Sequence, residues 1–208
     1  MPLLLFAASL SGQPRATQPG RFDFYVYSLS WSPDYCASPA GANDRFQCAG
    51  ERRYGFVVHG LWPQFERGWP ERCSSVPFNL PAALKRDVLE IMPSERLMKH
   101  EWSTHGTCSG LTPQKYFESI LTTWANVRFP EELKNLTKAD VEFSPVDIER
   151  KFVSANPGLK ANMLSVNCSG RFLSEVRICL DKNLKFRACS AQAERGCSMA
   201  KIIVRPIR

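Results

Sequence analysis

The sequence predicts an α+β fold, a mainly antiparallel central β-sheet flanked by helices and stapled by disulfides. Three observations predict it. Strand-like runs open the chain, helical patterns fill its middle, and short strand-like runs return in its last quarter. The 208 residues are 44% hydrophobic, with no break in composition, internal repeat or low-complexity tract, so one domain with a sizeable core is expected. Eight cysteines, Cys36, Cys48, Cys73, Cys108, Cys168, Cys179, Cys189 and Cys197, make an even set without a CxxC pair, which reads as four disulfides in an exported protein.

The chain starts MPLLLFAASLSGQPRA, an apolar stretch from Pro2 to Leu10 followed by small and polar residues. It resembles the latter part of a secretory signal without a basic n-region, so residues 1–20 are expected to be signal-like or disordered and residues 21–208 to form the domain. Arg21 to Trp31, RFDFYVYSLSW, is rich in aromatic and β-branched residues and predicts a strand buried on both faces. Tyr54 to His59, YGFVVH, predicts a second strand ending at a turn at Gly60. Asn79 and Pro81 open a helical pattern with Leu80, Leu84, Val88 and Ile91 in step, and Pro93 stops it. Ser94 caps the next helix, which Gly106 ends. Thr112 and Pro113 start an amphipathic helix with Tyr116, Phe117, Ile120, Leu121, Trp124 and Val127 on one stripe. Ser144 and Pro145 start another, with Ile148, Phe152 and Val153 inward and Pro157 closing it. NMLSVNC, RFLSEVRICL, LKFRAC and KIIVRPI are then short β-like runs separated by turn residues.

No run of 18 apolar residues exists, which argues against a membrane span. The formal charge of +7 is spread along the chain, compatible with an ordinary solvated surface or with a groove for a polyanion.

The segment richest in chemistry is His100 to Cys108, HEWSTHGTC. A zincin helix carries its histidines at i and i+4, about 40° apart on one face. Here they stand at i and i+5, roughly 140° apart and too far round a regular helix to share a small tetrahedral site. The same spacing puts His100, Thr104, Glu101 and His105 on one broad face, with Met98 and Trp102 on the apolar side. Glu101 and His105, at i and i+4, are within reach for the carboxylate to orient the imidazole or raise its pKa toward neutrality. That face suits acid/base chemistry without metal. The remaining histidine, His59 in FVVHGLWPQ, ends an apolar strand. Such a residue is more often a satisfied core or turn histidine, but a turn at Gly60 would leave its imidazole at the sheet edge. Trp62 beside it offers a face for stacking, or is a core aromatic. Two histidines, one to take a proton and one to give it, are what cleavage of RNA by its own 2′-hydroxyl requires.

HGLWP, together with HEW, two residues and HGTC, resembles the two active-site segments of the ribonuclease T2 family. LSWSPDYC resembles the family's first strand and LSEVRICLD its late core strand, so the resemblance covers most of Phe22 to the C-terminus. It implies the fold given above and a metal-independent endoribonuclease. Such an enzyme leaves 2′,3′-cyclic phosphate and then 3′-phosphate ends, with low base specificity. It also implies roles: His105 as general base, His59 as general acid, Glu101 orienting groups and balancing charge, His100 at the phosphate, and Trp62 beside the catalytic histidine and nucleotide. Thr104 stands where the family commonly has lysine. The lost charge is worth about 3 kcal/mol by comparison with removing a similar donor. Protonated His100 or an arginine from elsewhere would cover that role, or the enzyme is slower. The implied disulfides are Cys36–Cys48, Cys73–Cys108, Cys168–Cys197 and Cys179–Cys189, although spacing alone permits others among the last four.

The expectation is therefore a secreted or periplasmic monomer that acts on single-stranded RNA, without cofactor, metal or membrane. Two alternatives stand beside it. One is a catalytically weakened family member that binds RNA or another polyanion, and Thr104 is the feature favouring it. The other is a zinc hydrolase using the three histidines.

Overall fold

The structure, a computed structural model, describes residues 17–208. The signal-like stretch therefore lies, for residues 1–16, outside the described residues. In chain order the elements are β1 (Phe24–Trp31), α1 (Ser32–Cys36), β2 (Phe56–Gln64), α2 (Ala82–Leu89), α3 (Glu95–Thr104), α4 (Pro113–Asn126), α5 (Glu131–Lys134), β3 (Val141–Phe143), α6 (Pro145–Ala155), β4 (Leu164–Ser169), β5 (Phe172–Leu180) and β6 (Ile202–Val204). Strands first, helices between and strands last give an α+β fold. The six-stranded sheet runs β2-β1-β5-β6-β3, with β4 also on β5. Its ladders are antiparallel, except that β6 runs parallel to β5 at Phe172–Ile203.

Three of the helices start where the sequence supplies a side-chain cap. The hydroxyls of Ser94, Thr112 and Ser144 accept the amide hydrogens of Leu97, Lys115 and Asp147, meeting donors that the first turn leaves free. Tyr116, Phe117 and Ile120 of α4 and Ile148 and Phe152 of α6 are buried, as period 3.6 dictates.

Period 2 divides the central strands between two faces. Tyr25, Tyr27, Leu29 and Trp31 of β1 join Val58 and Leu61 of β2, Val176 and Ile178 of β5 and the helices in the main core. Phe24, Val26 and Cys179 form a smaller cluster on the opposite face, packed with Trp62 and Cys189. Disulfides Cys36–Cys48, Cys73–Cys108, Cys168–Cys197 and Cys179–Cys189 cross-link the chain.

Two expectations about elements need correction, and one strand was not foreseen. β2 does not end at Gly60 but continues to Gln64. LKFRAC forms only an isolated bridge between Phe186 and Leu180, because the Cys179–Cys189 bond holds this segment in a tight return. Val141–Phe143, too short to show a periodicity, pairs with β6 as β3.

Candidate active site

The site grows where the sheet face carrying Val26, Trp62 and Cys179 meets the end of α3. Trp62 pairs with Val26 and Gly60 with Ser28 across β2 and β1, while Val26, Ser28 and Ser30 pair with Cys179, Arg177 and Glu175 across β1 and β5. Alternation therefore lays Gly60, Trp62, Ser28, Glu175 and Arg177 on one face. His59 joins them by an irregularity. The register steps from Ser28–Gly60 to Leu29–Val58, so His59 is the extra residue of a β-bulge, a device that re-aims a side chain.

Gly60 serves close approach rather than a turn. A Cβ there would lie 2.1 Å from Glu101 Oε2 and 2.3 Å from Trp62 Nε1. Trp62 Nε1 donates to that carboxylate oxygen over 2.7 Å, and Glu101 Oε1 lies 3.8 Å from His59 Nε2. Glu101 is buried on α3 and serves His59 and Trp62, so the expected partnership of Glu101 with His105 is not formed. The arc of α3 from Thr104 through Glu101 and Met98 to Trp102 points inward, and the expected single open polar face is absent.

His105 is reached by a change of backbone. α3 stops at Thr104, His105 takes φ −115°, and Gly106 to Cys108 continue as a 3-10 turn. Gly106 is required here, because a Cβ would lie 2.5 Å from the Trp102 ring. The Arg72 amide donates to the Thr104 carbonyl over 2.8 Å, and Cys73–Cys108 ties the same segment to the end of the turn. Trp62 stands between the histidines, its ring centroid 5.1 Å from that of His59 and 5.5 Å from that of His105.

Two residues missed in the sequence complete the constellation. Glu175 Oε1 lies 2.6 Å from His59 Nδ1, and Glu175 Oε2 accepts from Arg177 Nε at 2.9 Å and Nη2 at 2.6 Å. Their signal was two charges at alternate positions of the apolar run FLSEVRICL, which put both on one face of β5. Thr104, expected at the substrate, is buried, its hydroxyl has no partner among the described residues, and it lines neither of the two cavities beside the histidines. His100 is exposed and lines a cavity of about 520 Å³ with His59, Ser94 and Arg96. A second cavity, of about 320 Å³, is bounded by His105, Trp62, Arg177, Gln64, Trp69 and Glu71, among others.

The environment drives the two imidazoles apart. Burial pushes His105 down to about 4, with Glu71 opposing and His100, His59 and Arg72 reinforcing. Its Nδ1 is enclosed without a partner among the described residues, which a neutral ring tolerates better than an imidazolium. Burial and the charge of Arg177 oppose the charge on His59, but the hydrogen bond and charge of Glu175 and the charge of Glu101 outweigh them and lift His59 above the usual 6.5. Burial raises Glu101 to about 7 against the pull of His59 and Trp62. Burial works the same way on Glu175, yet His59 and Arg177 hold it at about 2. In weakly acidic solution the site thus holds a neutral His105 and a protonated His59, one proton acceptor and one donor. Among the described residues no three His, Cys, Asp or Glu side chains converge to hold a metal ion.

Comparison with known proteins adds a family. The model of the Ribonuclease T2 family matches residues 22–189. A protein of Aeromonas hydrophila named "Ribonuclease" is 34% identical over 199 residues, covering 91% of this chain and 88% of that protein. The RNase-related protein from Calystegia sepium shares the fold at TM-score 0.73, with 23% identity over 89% of this chain and 98% of its own. RNase NT in complex with 5′-AMP superposes at TM-score 0.67, with 27% identity over 89% of this chain and 99% of its own.

Proposed function

Because the chain belongs to the ribonuclease T2 family, and is an RNA endonuclease by that membership, we propose that His105 and His59 are the base and acid of a 2′-hydroxyl transesterification. The observation that carries this is the opposite displacement of the two imidazoles around one indole. Neutral His105 takes the 2′-OH proton, the 2′-oxygen attacks phosphorus, and protonated His59 gives its proton to the departing 5′-oxygen. The roles reverse when water opens the 2′,3′-cyclic phosphate.

Glu101, its pKa raised by burial to about 7, holds Trp62 and His59 in place. The cavity beside His105 receives the nucleoside that supplies the 2′-OH. The cavity beside His59 and His100 receives the nucleoside that leaves. Trp62 and Trp69 offer faces on which any base can stack, and the Gln64 and Gln192 amides can present either donor or acceptor, which supports low base specificity on single-stranded RNA. The 5′-AMP bound to RNase NT supports nucleotide occupancy of such a site. Four disulfides support secretion or a periplasmic location.

The test is cleavage of single-stranded RNA in EDTA with analysis of product ends. Accumulating 2′,3′-cyclic phosphate is expected, and His59→Ala or His105→Ala should each lower kcat by about 10²- to 10⁴-fold. Activity that needs added metal, or that survives either substitution, refutes the assignment.

A further inference from the structure

As the 2′-oxygen adds to phosphorus, the phosphoryl oxygens gain negative charge, which in a partly desolvated cleft is best met by a fixed cation. The groups assigned so far leave that need open. His105 is the neutral base, Glu101 is a carboxyl, Thr104 is buried, and His100 is exposed and lines the cavity beside His59 rather than the one that holds His105. Within the deepened account of this same site, and resting on its ribonuclease reading, we infer that Arg177 is the phosphate-binding residue, its guanidinium contacting the non-bridging oxygens of the scissile phosphodiester.

Four observations carry this. Arg177 is the one Lys or Arg among the described residues that bound the cavity containing His105 and Trp62. Its Nε and Nη2 both point at Glu175 Oε2, so the plane of the guanidinium is fixed before substrate arrives. Nη1 has no partner among the described residues, and with the second hydrogen of Nη2 it forms an outward fork of the kind that receives an oxyanion. The guanidinium carbon lies 5.2 Å from the Trp62 ring that borders both histidines, and the side chain keeps 37% of its exposure, enough to be reached.

The rivals are less suited. The Arg72 charge also reaches His105, but its side chain is exposed and makes no hydrogen bond or ion pair among the described residues. Glu71 shares the cavity with opposite sign, and its carboxylate accepts from Trp69 Nε1 at 2.7 Å. Glu175 binds His59 with one oxygen and Arg177 with the other, so one carboxylate holds acid and cation at a fixed separation.

The experiment measures kcat/KM on a dinucleoside monophosphate, and competitive inhibition by inorganic phosphate, across pH. Arg177→Gln should raise the phosphate inhibition constant by about tenfold or more and lower kcat/KM by about 10²- to 10³-fold, with partial recovery in millimolar guanidinium. The acid limb should stay in place while the alkaline limb moves to higher pH, since the Arg177 charge lowers His59, and Arg177→Lys should fall between the parent and Arg177→Gln because it keeps the charge and loses the fork. A phosphate constant that rises less than about fivefold overturns the inference, as does an equal rise in the neighbouring Arg72→Gln. Loss confined to a moved alkaline limb also overturns it, because Arg177 would then act only through Glu175 on His59.

Should the glutamine variant fail to fold, phenylglyoxal labelling of the parent protein gives the same answer. Phosphate should slow modification of Arg177, and unchanged labelling overturns the assignment. A parent without ribonuclease activity would strike the functional reading alone, since phosphate protection of Arg177 does not depend on turnover.

Discussion

In the proposed mechanism His59 and His105 have the same side chain and opposite tasks, and their surroundings separate them. His105 must be deprotonated to accept, so activity should rise as pH passes about 4; His59 must be protonated to donate, so activity should fall above 6.5. A bell-shaped profile of kcat/KM is expected, and its alkaline limb reports Glu175. Glu175→Gln removes the charge that outweighs the burial of His59, so that limb should move to lower pH while the acid limb stays. An unmoved alkaline limb would show that Glu175 does not position or charge His59. The three histidines, Glu101 and Trp62 were legible in the sequence because their motifs are local. The partner of His59 was not, since it lies 116 residues away and is set by strand register. The pairing expected for Glu101 went astray for a related reason: helical spacing says which side chains share an arc, but packing decides which side of the arc points inward.

At the scale of elements, the bulge in β2 and the end of α3 do the positioning. Gly60→Ala would drive a methyl into Glu101 and Trp62, with contacts at 2.1 and 2.3 Å, so overpacking should cost about 1 to 3 kcal/mol in denaturant unfolding. Activity should fall by more than that loss explains, because Glu101 sits between both features. A variant with parental stability and rate would show that the carboxylate has room to spare. Cys73–Cys108 closes a loop of sequence separation 35, and replacing both residues by serine should cost about 4 kcal/mol by chain entropy. The His105 segment should loosen first, visible as faster amide exchange at residues 104–108 than in β5. The starts of α3, α4 and α6 were readable from their caps and β1 from its composition. The continuation of β2 past Gly60 was not, because a glycine needed for clearance looks in sequence like one needed for a turn.

The whole molecule inherits a pH dependence from these buried groups. Glu175, held at about 2 against an ordinary 4.5, contributes stability that is present above 4.5 and lost as pH falls toward 2. Between about 4 and 6.5 the unfolded chain protonates His105 more than the fold does, so that group adds stability with rising pH. Glu101, protonated in the fold up to about 7, removes stability over nearly the same interval. Above 6.5 His59 binds its proton more tightly in the fold, and its contribution is lost as pH rises. Thermal unfolding should therefore show a plateau from about 4.5 to 6.5 with decline on either side. A midpoint rising steadily from pH 5 to 8 would contradict this balance. Antiparallel sheet, helical layer and cysteine content could all be read from patterning, while the summed electrostatics could not, because each contribution depends on burial that only the assembled chain creates.

One further consequence concerns how such a molecule could be retired from catalysis. The ladder between the first two strands closes on either side of residue 59 without using it as a rung, and both acidic neighbours keep other donors, Trp62 for one and Arg177 for the other. If His59 is the acid proposed above, a single codon change there silences the chemistry while leaving the strand ladder and the partners of both carboxylates in place.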